Sequence, residues 1–136
     1  MNVREVMSSK NLLTVLEGDT LAAAAHKMAW GTCRHLPVVR EGEVIGMLSE
    51  RDVLAWLGEG HRLDGPSDLV RAAMVAPAVL AVPEEDVGEA AARMISRRIA
   101  CLPVVAQGQL VGIITSSDLL GGVVAEMNAE ALDRDC

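Results

Sequence analysis

The sequence contains no phenylalanine and no tyrosine, and Trp30 and Trp56 are its only aromatic residues. A hydrophobic interior must therefore be aliphatic, built from Val, Leu, Ile, Met and Ala, and aromatic platforms for stacking nucleic-acid bases are largely excluded. Cations are also in deficit: 12 Lys and Arg stand against 19 Asp and Glu, a formal net charge of -7. Affinity for polyanions rests on cationic side chains that release counterions, so no nucleic-acid partner is expected, while a compact anion in a local pocket stays open. Cys33, Cys101 and Cys136 are odd in number and lack CxxC spacing, which speaks against a disulfide framework or a zinc knuckle and leaves buried or incidental thiols. The start, "MNVREVMSSKN", lacks the apolar stretch of a signal peptide, and no run approaches the roughly 20 apolar residues of a membrane helix. A soluble, cytoplasmic protein without a membrane partner is expected.

What is present is a repeat. Apolar residues make up 51% of the 136 residues, enough for a packed core. The stretch "GMLSERDVL", from Gly46 to Leu54, returns as "GIITSSDLL", from Gly112 to Leu120. Leu36, Pro37, Val38, Val39, Gly42, Gly46, Asp52 and Leu54 all recur 66 residues later; upstream, Val3, Arg4 and Met7 recur after 67, so one residue is inserted near Gly18. Each copy reads β-α-β-β-α behind a short helical turn ("VREVM", "VRAAM"). The first strand is expected in "LLTV" and "VLAV". The helix after the first of these is capped by Asp19 or Thr20, presents Leu21, Ala24, Ala25 and Met28 on one face, and ends at Gly31. Two β-branched runs then turn at Glu41-Gly42, or at Gln107-Gly108, as a hairpin. A last helix starts at Ser49 or Thr115, whose hydroxyl is placed to cap it. The chain thus divides into two half-domains: a first repeat over 1–60, a linker over 61–69, a second repeat over 70–125 and a frayed helical tail over 126–136.

Through "RHLPVVREGEVIGMLSERDVL" and "IACLPVVAQGQLVGIITSSDLL" the chain resembles tandem CBS domains, the cystathionine β-synthase type repeats that pair as a Bateman module, here of the stand-alone prokaryotic type. The match covers nearly the whole chain. The resemblance implies an α+β fold of two β-α-β-β-α repeats packed about a pseudo-two-fold axis. It also implies a regulatory ligand of adenosine type (AMP, ADP, ATP, NAD or S-adenosylmethionine), a homodimer of the pair and an action on another protein. No separate cofactor or metal is implied.

Carried over by position, the cleft of Thr115 and Asp118 is lined by Leu13, Thr14 and Val15. It is faced by Arg34 and His35, which sit just before "LPVV", where the gamma subunit of AMP-activated kinase has basic residues that bind phosphate. A second, weaker cleft uses Ser49, Asp52, Val79, Leu80 and Ala81, with Ala100 and Cys101 in place of cations. The chemistry agrees, because a carboxylate accepts hydrogen bonds from two vicinal ribose hydroxyls and a helix N-terminus receives an anion. His35 is expected to aid phosphate binding when protonated at mildly acidic pH. Arg51, Arg97, Arg98, Lys10 and Lys27 read as surface charges, and His26 and His61 as helix and linker residues. Nothing beyond the pair resembles an output domain, so any output is expected to act in trans. No nucleophile with an adjacent base, metal cluster or Gly-rich phosphate loop is present, so no enzyme is expected. The homodimer is expected to associate through helix positions such as Met28, Leu54, Trp56, Leu57, Met94 and Leu120, and the alternative to the ligand-binding reading is a structural dimerisation module with no ligand.

Overall fold

The computed structural model describes residues 1–135, with side chains through Ala131. Its elements are α1 (Val3–Val6), β1 (Val15–Leu16), α2 (Leu21–Gly31), β2 (His35–Arg40), β3 (Glu43–Ser49), α3 (Glu50–Gly58), α4 (Val70–Ala73), α5 (Val87–Arg97), β4 (Cys101–Ala106), β5 (Gln109–Thr115) and α6 (Ser116–Asp135). The fold is α+β and made twice, as the repeat implies.

The chain divides into two compact units. The first holds Asn11–Val79 with Gln107–Leu110; the second holds Met1–Lys10, Leu80–Ala106 and the chain from Val111 onward. Val15, Ala24, Met28, Leu36, Val38, Leu48 and Val53 are buried in the first. The second buries Ala81, Ala90, Met94, Leu102, Val104, Ile114 and Leu119, each 66 residues beyond its counterpart. A core of this kind rests on many aliphatic side chains, each contributing about 1.5–3 kcal/mol when fully buried. Val70 completes the first core and Val3 is wholly buried in the second unit. The two helical turns have therefore changed places: α4 serves the unit of the first repeat, and α1 that of the second.

In the first unit β1 runs parallel to β2 and β2 antiparallel to β3. The hairpin turns with positive φ at both central residues, Glu41 (52°) and Gly42 (84°), a geometry that matches strand twist and that glycine adopts freely. Strands β4 and β5 form a separate two-stranded sheet that turns at Gln107 (53°) and Gly108 (78°).

Several local expectations are revised. The strand expected in "VLAV" reduces to one parallel bridge, Ala81 to Val104. Ala81 supplies both ladder bonds, from Ala81 N to Pro103 O and from Val105 N to Ala81 O, and Pro83, the next residue facing β4, has no N–H to donate. Thr20 caps α2 through its hydroxyl, which accepts from Ala23 N at 3.1 Å, while Asp19 turns back to accept from Leu16 N. Helix α2 ends at Gly31 as expected, with Thr32 (φ 49°) as its left-handed cap, and Arg98 (φ 55°) caps α5 in the same way. Residues 61–69 are built into the first unit: Leu21 N and Ala22 N donate to Asp68 O and Leu63 O. The indole of Trp56 donates to Asp68 Oδ1 at 3.0 Å and stacks on His61. Helix α6 continues to Asp135, through the segment expected to fray; Cys136 lies outside the described residues. Among the described residues no helix is long and apolar enough to cross a membrane.

Candidate functional site

The repeated motif opens with a glycine because backbone comes too close for a side chain. A Cβ at Gly46 would stand 2.9 Å from Val75 O, and one at Gly112 would stand 3.0 Å from Ser8 O. These contacts belong to short bridges, Met47 to Val75 and Ser8 to Ile113, that tie each helical turn's exit to the strand. The strand then delivers the hydroxyl residue and the carboxylate to the next helix start.

There the two copies have the same geometry. Asp52 N donates to Ser49 Oγ at 3.1 Å and Ser49 N donates to Asp52 Oδ2 at 2.8 Å, a reciprocal capping box. In the second unit Asp118 N donates to Thr115 Oγ1 at 3.1 Å and Thr115 N to Asp118 Oδ2 at 2.9 Å. Both carboxylates are half-buried. Each thus has one oxygen committed to the backbone, while among the described residues no donor meets Oδ1. An ionised carboxylate has several acceptor sites, and each hydroxyl still has its proton to donate. Capping therefore orients these groups without exhausting them.

His35 pairs with Ser49 across the β2–β3 ladder, and Glu50 N donates to Arg34 O at 2.8 Å. These contacts gather Arg34, His35, Ser49 and Asp52 at one end of the first unit. Burial pushes His35 below its ordinary pKa, and Arg34 adds to this, while Asp52 and Glu50 pull the other way. The imidazole is thus less ready to carry charge at mildly acidic pH than its type alone implies. Arg34 is exposed. In the second unit Ser116 N donates to Ala100 O at 2.9 Å, repeating the backbone contact without the cation.

Leu13 and Thr14 are half-buried and Val15 is buried at the start of β1. Of the matching three, Val79 is half-buried and Leu80 is 37% exposed, while Ala81 is buried. Lys27 is not a free surface charge: its Nζ donates to Thr14 O at 2.7 Å. Arg93, 66 residues on, donates to Leu80 O at 2.9 Å. The signal for both lay in the repeat, which aligns a cation with a cation.

Met28 and Met94, expected to offer surface, are core residues, whereas Leu54 (58% exposed), Leu57 and Leu120 (69%) do face outward. An apolar groove of about 500 Å³ lies between α2 and α3, lined by Ala25, Met28, Ala29, Leu54, Leu57 and Leu63 with Arg34 and Glu50 among its polar residues. Cys33 lines it too, its thiol pushed up by burial. Among the described residues no group of three His, Cys, Asp or Glu side chains is placed to hold a metal ion.

A hairpin feeding a reciprocally capped helix, made twice around one core pattern, defines an internally duplicated α+β module with one half-open carboxylate per copy. The chain belongs to the CBS domain family, whose model matches residues 3–59 and 68–125. It is 30% identical to the Methanocaldococcus jannaschii protein MJ1225 over 87% of this chain and 41% of that one. It is 32% identical to the CBS domain-containing protein YhcV of Bacillus subtilis over 87% of this chain and 82% of that one. The CBS domain pair of protein MJ0100, solved with 5'-methylthioadenosine and S-adenosyl-L-methionine, is 25% identical, with a TM-score of 0.79 over 88% of this chain and 96% of that one. The chain spans well under half of MJ1225, and about a quarter of the homoserine O-acetyltransferases of methanogens that it also resembles.

Proposed function

We propose that this CBS pair is a regulatory module that binds an adenosine-type ligand (AMP, ADP, ATP, NAD or S-adenosylmethionine) and passes its occupancy in trans to another protein. The observation that carries the reading is the pair of capping boxes, which hold Asp52 and Asp118 half-buried with Oδ1 of each open to vicinal hydroxyls. The adenosine compounds bound by MJ0100 support the same ligand class. Asp118 and Asp52 take the ribose, with the hydroxyls of Thr115 and Ser49 beside them. Leu13, Thr14 and Val15, and in the weaker site Val79, Leu80 and Ala81, form apolar walls for the base. Arg34 and His35 meet phosphate.

The nucleotide is a regulatory ligand and no further cofactor is required. The cytoplasm, where such nucleotides are abundant, is the expected setting. The outward Leu54, Leu57 and Leu120 and the α2–α3 groove favour a homodimer joined through helices. They would equally serve a ligand-free dimerisation module, which is the competing reading.

A thermal-shift panel of adenosine compounds separates the two. A ligand specific for the folded state at 100 times its Kd raises stability by about 2.7 kcal/mol. A rise with at least one adenosine compound, absent for its uridine counterpart, is the expected result. A flat panel at millimolar concentration would leave the dimerisation module.

A further inference from the structure

The wall segment of each unit is held by a side-chain clamp that the ligand groups do not include. In the second unit Arg93 Nη1 donates to Leu80 O at 2.9 Å, and Glu85 Oε1 accepts from Val82 N at 3.0 Å. These two bonds fix the peptide planes on either side of Ala81, whose side chain is buried in the core. The two clamping side chains are themselves joined, with Arg93 Nη2 to Glu85 Oε2 at 2.6 Å and Nη1 to Oε1 at 3.1 Å, a paired geometry that is among the stronger hydrogen-bonded ion pairs. The Glu85 side chain is only 8% exposed, and its hydrogen bond to Arg93 holds its carboxyl below the usual range.

The first unit repeats the clamp in weaker form. Lys27 Nζ donates to Thr14 O at 2.7 Å and Asp19 Oδ2 accepts from Leu16 N at 2.9 Å, fixing the peptide planes on either side of Val15. Here, however, Lys27 and Asp19 form no ion pair with each other among the described residues, so the two bonds act separately. A lysine ammonium on a four-carbon stem also holds one acceptor less rigidly than a planar guanidinium shared between two.

We infer that Arg93 with Glu85, and Lys27 with Asp19, are positioning residues that set the backbone of the two base walls, and that the closed Arg93–Glu85 clamp makes the wall at Leu80–Val82 stiff while the open Lys27–Asp19 clamp leaves the wall at Thr14–Leu16 adjustable. The inference rests on the adenosine-ligand reading, because it assigns these side chains a part in recognising the base. Adenine presents an amino donor where guanine presents a carbonyl acceptor. A fixed wall therefore tells the two apart, and a loosened wall accepts both.

Two measurements test it. Amide hydrogen exchange on the ligand-free protein compares Val82 N–H with Leu16 N–H, each corrected for its intrinsic rate. Val82 should exchange more slowly; Lys27→Arg should slow Leu16 and Arg93→Lys should quicken Val82, each about threefold or more. Equal protection, or rates that ignore both exchanges, would overturn the difference in stiffness, and neither conservative variant endangers the fold. Calorimetric titration with AMP and GMP then reads the base. At the weaker of the two sites, whose wall is Leu80–Val82, Arg93→Ala should lower the ratio of AMP to GMP affinity about tenfold, equivalent to 1.4 kcal/mol, with Arg93→Lys restoring part of it. A uniform loss for both nucleotides, tracking a lowered melting temperature, would show a merely structural role. An unchanged ratio in a protein that binds AMP would refute the positioning role alone, whereas wild-type protein that binds neither nucleotide would bring down the ligand reading together with it.

Discussion

At the scale of single residues, Asp118 has two tasks that one substitution can separate. Its Oδ2 completes a capping box, and on the proposed function its Oδ1 accepts from the ribose. Asp118→Asn keeps an oxygen for Thr115 N but loses the charge that strengthens bonds from ribose hydroxyls. It should melt within a few degrees of wild type and lose adenosine affinity by a factor of about 30, since a hydrogen bond to a charged group contributes roughly 1.5–3 kcal/mol. Asp118→Ala should lose both, with a capping cost of about 1 kcal/mol seen in denaturant titration. Calorimetry that finds adenosine affinity unchanged in the Asn variant would remove the ribose assignment. Arg34 and His35 separate by pH. Replacing both with Ala should weaken AMP far more than adenosine; equal losses would mean that they shape the site instead of meeting phosphate. Because burial lowers the pKa of His35, the folded protein binds its proton less readily than the unfolded chain. Stability from this group is complete above the unfolded value near 6.5 and is lost as pH falls from there through the folded value. His35→Gln should flatten that part of the stability profile between pH 7 and 5, and an identical slope in the variant would exclude His35 as its source.

Among the elements, the hairpins were legible because Glu41-Gly42 and Gln107-Gly108 stand between β-branched runs, and the last helices because Ser49 and Thr115 precede carboxylates at capping-box spacing. The weak first strands were not: "LLTV" and "VLAV" have strand composition, yet pairing covers only Val15–Leu16 in the first unit and Ala81 in the second. The bonds that Lys27 and Arg93 make to this backbone each span 13 residues, which propensity does not weigh. The site was legible in the same uneven way. Asp52 and Asp118 stood out as repeated carboxylates, whereas Lys27 looked like any exposed helix lysine until its carbonyl partner was known. Two glycines, Gly46 of the motif and Gly58 at the end of α3, yield a test of opposite signs. Gly46→Ala would force a methyl against Val75 O and the Met74 sulfur. It should cost about 1–3 kcal/mol, as overpacking does. Gly58, the last residue of α3, has open space around its Cβ, so Gly58→Ala should be neutral or stabilise by up to about 1 kcal/mol. Urea denaturation of the two variants decides; a tolerated Gly46→Ala would mean that the bridge to Val75 yields easily.

For the molecule as a whole, the duplicated core makes each unit a copy of one solution, and outward apolar residues remain on α3 and α6: Leu54, Leu57, Leu120, Val124 and Met127 are all well exposed. Light scattering at micromolar concentration should return the mass of a dimer, and Leu54→Glu with Leu57→Glu should shift it toward the monomer without unfolding it. A monomeric wild type would leave these side chains without a partner of the same kind. The exchange of α1 and α4 between units bears on how the chain is made. The ribosome releases residues in order, and the first unit has its segment from Asn11 to Val79 complete while the second has only its opening turn. Met1–Lys10 must then wait, with Val3 and its neighbours uncovered, until Leu80 and the residues beyond it emerge. The bulk of the first unit is thus available to fold before the second, and Met1–Lys10 find their place only with the later-made residues of their own unit.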